Sequence, residues 1–78
     1  MDLDHIIMNE VQSSNIEAVG HDVDRNILLV RFHNGVTYKC SPITEQGYRS
    51  MLNSPSVGKW YHQNIRQNDG VEVERVGD

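Results

Sequence analysis

The sequence predicts a small α+β domain: a three-stranded antiparallel meander packed against two helices, with a short C-terminal strand. Three observations carry this expectation. The run ILLVRF at 27–32 is rich in branched residues and reads as a strand. The Asn34–Gly35 pair between that run and VTYKC marks a tight hairpin. Beyond Pro42 the apolar residues fall at helical spacing, first Tyr48, Met51 and Leu52, then Val57, Tyr61 and Ile65.

Taken in order, residues 1–10 have little pattern and are expected to form a flexible N-terminal arm, leaving 11–78 as a single domain. Residues 14–22, SNIEAVGHD, read as the first strand, with Ile16 and Ala18 on one side. Asp24, Arg25 and Asn26 supply turn chemistry, and the nearby carboxylates of Asp22 and Asp24 suit capping of that turn. The hairpin register can be argued. A two-residue loop would pair Phe32 with Thr37. A three-residue loop, His33–Asn34–Gly35 with Gly35 left-handed, pairs Phe32 with Val36 instead. The second choice gathers Leu28, Val30, Phe32, Val36, Tyr38 and Cys40 on one face, and a slip of one residue would scatter them. The same register turns Ile27 and Leu29 to the opposite face.

Pro42 ends the sheet. Thr44 is placed as the N-cap of a first helix, with Ile43 and Tyr48 at the staple positions on either side. Asn53–Ser54–Pro55 breaks that helix, and Pro55 suits the first turn of a second one over 57–66. Asn68–Asp69–Gly70 is a turn, and VEVERV alternates as a short last strand.

At 78 residues the chain has room for one thin core. With 37% apolar and 23% charged residues it reads as an ordinary globular domain. Its single cysteine, Cys40, allows no disulfide within the chain and fits a reducing compartment, so a cytoplasmic location is expected. MDLDHII carries acid where a signal peptide would carry Lys or Arg, and no apolar run approaches the roughly 20 residues of a membrane span. No membrane partner is expected.

Net charge is −4, which opposes binding to a long polyanion. The distribution is uneven. No acid lies between Glu45 and Asp69, while Arg49, Lys59 and Arg66 do. The stretch SPSVGKWYHQNIR, residues 54–66, concentrates this asymmetry. On a helical projection Val57, Tyr61 and Ile65 form the buried stripe, Lys59, His62, Gln63 and Arg66 the opposite side, and Trp60 and Asn64 the flank. Gly58 inside a helix costs about 1 kcal/mol relative to alanine, so its presence needs a reason. It either permits close packing against the sheet or leaves Ser56, the leading amides and Lys59 open to a phosphate or carboxylate. The expected ligand-binding residues are therefore Ser56, Gly58, Lys59, His62 and Arg66, with Trp60 or Tyr38 as a stacking surface for a base. His5, His21, His33, His62 and Cys40 show no metal-ligand spacing, and no catalytic constellation is visible, so neither an enzyme nor a cofactor is expected.

Together SSNIEAVGHD, ILLVRFHNGVTYKC, SPITEQGYRSML and SPSVGKWYHQNIR resemble the KTSC domain, named for the C-terminus of some lysyl-tRNA synthetases. The resemblance spans about 11–66. Its elements here are Ser13, Ser14 and Ile16, then Gly20 and Asp22, Gly35 and Tyr38, and Ser56, Gly58, Asn64, Ile65 and Arg66. The family's Tyr-x-Tyr stands here as Tyr38–Lys39–Cys40, with one ring absent. The resemblance implies an α+β module without catalytic residues, found as an appendage or a stand-alone protein in bacteria and their phages, with RNA binding suggested by the synthetase context.

The expectation drawn from residues and resemblance together is a non-catalytic module for a compact anionic, nucleotide-like ligand, such as a phage protein that sequesters host immune signalling nucleotides. The competing expectations are an RNA-binding accessory domain and a protein-interaction or assembly module. The last, a homo-oligomer, rests on Ile27 and Leu29 on the outer face, for which coverage by the N-terminal arm is the rival account.

Overall fold

Two apolar faces on one sheet determine the architecture. The computed structural model describes residue 3 and residues 5–77. Its strands are β1 (Asn9–Glu10), β2 (Ile16–Asp22), β3 (Ile27–Phe32), β4 (Thr37–Ser41) and β5 (Glu72–Gly77). All pair antiparallel in the order β1-β2-β3-β4-β5. The helices α1 (Glu45–Leu52) and α2 (Val57–Tyr61) follow β4, and α2 runs directly into a π-helical segment, His62–Arg66.

The α+β class and the short last strand stand as expected, but the three-stranded meander is the centre of a five-stranded sheet. The C-terminal strand is a full member, paired along β4. The added edge strand β1 is two polar residues long, and so short a segment offers no alternation to recognise.

The central hairpin has the expected register. Leu28 pairs with Cys40 and Val30 with Tyr38. The amide of Phe32 donates to the Val36 carbonyl at 2.9 Å, and Gly35, at φ 90°, closes the three-residue loop. An L side chain rarely adopts that φ, and glycine adopts it without steric cost. Leu28, Val30 and Cys40 are fully buried beneath the helices with Met51, Val57, Tyr61 and Ile65, and Phe32 and Tyr38 pack at the margin of the cluster.

One face assignment is corrected. Ile16 and Ala18 are not on the same side, because the pairing with β3 shifts between them. Ile16 stands opposite Phe32 and Val19 opposite Val30, so these two join the helix-side core. A bulge places two residues against one and flips the alternation beyond it.

The outer face is covered too. Ile27 and Leu29 form a second cluster with Ile6, against which Leu3 and Met8 pack. The segment expected as a loose arm thus supplies the cover from its own residues. It crosses directly over Gly20, where a Cβ would fall 2.6 Å from the Ile7 carbonyl oxygen and 2.8 Å from Ile6 Cγ2. His5 Nε2 lies 2.7 Å from Asp22 Oδ2, while Asp22 Oδ1 accepts from the amides of Asp24 and Arg25, so Asp22 caps the turn as expected.

Thr44 caps α1, its hydroxyl accepting from the Gly47 amide at 3.2 Å. α2 begins at Val57 as expected, but Ser56 is its N-cap, so Pro55 lies before the helix and not in its first turn. Val57, Tyr61 and Ile65 are buried as the projection requires.

Candidate ligand-binding site

The site begins with a loop. Ser13 Oγ accepts from the amides of Asn15 and Ile16, turning the chain sharply before β2. His33, at the hairpin, fastens this turn: its amide donates to the Asn15 carbonyl at 3.0 Å, and its Nε2 lies 2.9 Å from the Ser13 carbonyl. Asn15 is thereby held between the hairpin and the start of α2.

Two open clefts adjoin at that point. The first, about 410 Å³, is lined by aromatic Phe32, Tyr38 and Tyr61, the amides Asn15 and Asn34, and Arg66. The second, about 510 Å³, is lined by the hydroxyl residues Ser13, Ser14 and Ser56 and by Lys59. Asn15, Gly58 and His62 line both. Each volume lies within the roughly 300–1,000 Å³ of small-molecule sites.

Gly58 sits at the junction. A Cβ there would meet Ser13 Oγ at 3.5 Å and Asn15 Nδ2 at 3.8 Å. Of the two reasons weighed for this glycine, the structure favours the open one: its missing side chain faces the loop and the clefts, and the sheet is not its neighbour in that direction.

Charge in the clefts is of one sign. Among the described residues neither Lys59 nor Arg66 forms an ion pair; Glu17 pairs with Arg31 at 2.7 Å and Glu45 with Arg49 at 3.4 Å. The Ser56 hydroxyl accepts from the Lys59 amide at 3.2 Å, which leaves its proton free to donate.

The wall of the first cleft contains an unusual group. Tyr61 is only 6% exposed, and its hydroxyl is buried without a hydrogen-bond partner among the described residues. Phe32 meets its ring edge-on, at 5.4 Å between centroids. Burial raises the Tyr61 phenol above its ordinary pKa, and the nearby Arg66 guanidinium opposes this without completing the hydrogen bond. The phenol is therefore neutral and keeps its proton.

Six of the seven expected ligand residues come together here: Ser56, Gly58, Lys59, His62, Arg66 and Tyr38. Trp60 does not. Its Nε1 donates to Ser50 Oγ of α1 at 3.3 Å, and its ring packs on the core, so the flank position resolves as a lid between helices. Asn15, Asn34, Phe32 and Tyr61 were missing from the expected set. The pairing of Phe32 with the hairpin pointed to a core role only, and Asn15 becomes a lining residue only once the loop folds back on α2. Cys40 lies in the core, and burial pushes its thiol up to about 12, so it is no nucleophile at neutral pH. Among the described residues no three His, Cys, Asp or Glu side chains gather to hold a metal ion, and no helix is long and apolar enough to cross a membrane.

An antiparallel sheet with one helical layer, and a divided cleft where the last helix meets the hairpin, define a small α+β module. The chain belongs to the KTSC domain family, whose model matches residues 12–68. It is 36% identical over 53 residues to a protein of Tsukamurella paurometabola, covering 68% of this chain and 79% of the relative. It is 28% identical over 53 residues to a protein of Stutzerimonas stutzeri (strain A1501), covering 68% of this chain and 75% of that one. The fold is shared with a crystal structure of a KTSC domain protein from Yersinia pestis. That match has a TM-score of 0.79 at 22% identity and covers 92% of this chain and 99% of the other.

Proposed function

We propose that this protein is a non-catalytic binding module for a compact anionic, nucleotide-like ligand held in the paired clefts. The observation that carries the reading is the convergence of Lys59, His62 and Arg66 on two adjoining clefts whose walls are aromatic on one side and hydroxyl-rich on the other. Lys59 and Arg66, which form no ion pair among the described residues, suit phosphates, and aromatic walls suit a base. Sequestration of a small signalling nucleotide, as by a phage protein directed at host defence, is the biological role that such retention would serve.

RNA is the second reading, supported by the same cations. Outside the stretch from Glu45 to Asp69 the chain has four basic against nine acidic side chains, and the two bounding residues are acids as well. That surface repels a long polyanion, and two or three phosphate contacts give only a shallow salt dependence. The assembly reading has less support, since Ile27 and Leu29 are covered by Ile6 of the same chain.

The test is calorimetry against a panel of mononucleotides, linear and cyclic dinucleotides, and short single-stranded RNA, with the ligand recovered afterwards and weighed by mass spectrometry. Saturable binding of a small nucleotide that is recovered intact supports the reading. A panel that releases no heat, or a ligand recovered as a product, refutes it.

A further inference from the structure

We propose that the two clefts are one bipartite site for a mononucleotide unit, with the phosphate lodged in the cleft of Lys59, Ser13 and Ser56 and the base against Phe32, Tyr38 and Tyr61. This assignment rests on the binding function proposed above and adds to it the orientation of the ligand and the group that reads the base.

The chemistry of the two walls differs in the way a nucleotide's two ends differ. The second cleft offers an ammonium and several hydroxyls and, apart from the shared His62 imidazole, has no aromatic residue on its wall. That set satisfies a phosphate, whose oxygens accept from every one of these donors. The first cleft offers ring surfaces in edge-to-face array: Phe32 to Tyr38 at 5.7 Å and Phe32 to Tyr61 at 5.4 Å between centroids. A planar base gains contact there that a phosphate cannot.

The second observation is the Tyr61 hydroxyl. A hydroxyl enclosed without a partner is a costly arrangement unless something completes it. This one belongs to a residue lining the first cleft, beside Arg66, which lines it too. An acceptor atom on a base edge, brought into that cleft, supplies the missing bond once the exposed Arg66 side chain moves aside. Asn15 and Asn34 add amides on the same wall, each able both to donate and to accept. The phosphate and base ends meet where Asn15, Gly58 and His62 line both clefts, and the bare Gly58 leaves the passage open.

The experiment titrates the full chain with the four nucleoside 5′-monophosphates, the matching nucleosides and ribose 5-phosphate. It compares wild type with Lys59→Glu and Tyr61→Phe, each first checked for a wild-type thermal transition. Lys59→Glu is expected to weaken the best mononucleotide about tenfold or more and leave its nucleoside within about twofold, as loss of one charge-assisted contact requires. Tyr61→Phe is expected to weaken mononucleotide and nucleoside alike by about fivefold to tenfold, and to leave ribose 5-phosphate unchanged. If mononucleotides bind but Lys59→Glu weakens the nucleoside equally, or Tyr61→Phe leaves the nucleoside untouched, the orientation is wrong while nucleotide binding stands. If no mononucleotide binds, or only single-stranded RNA does, the orientation falls together with the reading beneath it.

Discussion

The imidazole of His21 lies nearly parallel to the ring of Tyr48, with centroids 5.1 Å apart and an angle of 13° between planes. The same imidazole hydrogen-bonds through Nε2 to the Ile43 carbonyl, one residue before the Thr44 cap. One side chain of β2 therefore fixes both the entry and the first turn of α1. His21→Ala is expected to destabilise the fold by about 1–3 kcal/mol, since a stacked pair and a partly buried hydrogen bond are lost together. Chemical denaturation measures this. A loss below about 0.5 kcal/mol, the level of an ordinary surface change, would show that the stack does not hold the helix.

Gly20 lies under the N-terminal arm with no room for a Cβ, the nearest atom being the backbone oxygen of Ile7. Gly20→Ala is expected to lift the arm and cost about 1–3 kcal/mol, as overfilling a packed contact does. Loosening the arm would also expose Ile27 and Leu29, so the variant should self-associate more than wild type in light scattering. A variant of unchanged stability and mass would show that the arm does not close the outer face.

Gly58 answers to opposite demands. Alanine in its place should add a few tenths to about 1 kcal/mol of helix stability, because the added Cβ meets Ser13 Oγ at an ordinary contact distance. It should also weaken ligand binding, by narrowing the passage between the clefts. A higher melting temperature with lower affinity is the expected pair of results. Unchanged affinity would show that the junction does not carry the ligand.

The Asp22 carboxyl is held below its usual 3.8, first by the hydrogen bond from His5, with the amides of Arg25 and Asp24 assisting against the cost of its covering. A depressed carboxylate pKa contributes stability that is present above the unfolded value and lost as pH falls through the folded one. The stability difference between wild type and Asp22→Asn should therefore shrink as pH is lowered below 3.8. Melting curves taken down that range check it, and a difference that stays constant would show that the pair contributes nothing through ionisation.

Cys40, its thiol raised to about 12 by burial, should resist thiol reagents in the folded protein. Labelling at pH 8 is expected to be at least about a hundredfold slower than in denaturant, with a rate set by opening of the fold. Equal rates would place the thiol at the surface.

The hairpin was legible because one glycine and one apolar face agreed on a single register: Gly35 allowed the left-handed turn, and Phe32 opposite Val36 kept the core together. The first helix was legible for the same reason, Thr44 and its flanking Ile43 and Tyr48 acting within a few residues of one another. What escaped the sequence was non-local or irregular. The shift near Glu17 has no marker in IEAVG, and it decides whether Ala18 or Val19 meets the helices. The cationic half of the site could be read from residues 56–66, all on one helix. The aromatic and amide half could not, because Asn15, Phe32 and Tyr61 are brought together only by tertiary folding. Trp60 stood on a helix flank with two directions open to it, and only Ser50 of the other helix decides between them.

Position 40 gives the departure from the family's Tyr-x-Tyr a physical meaning. Tyr38 and Cys40 share one face of β4, but Tyr38 lies at the cleft margin while Cys40 is fully enclosed together with Met51 and Ile65. The absent second ring is thus a matter of interior volume. Exchanges at this point among related chains should travel with compensating size changes at residues such as 51 and 65.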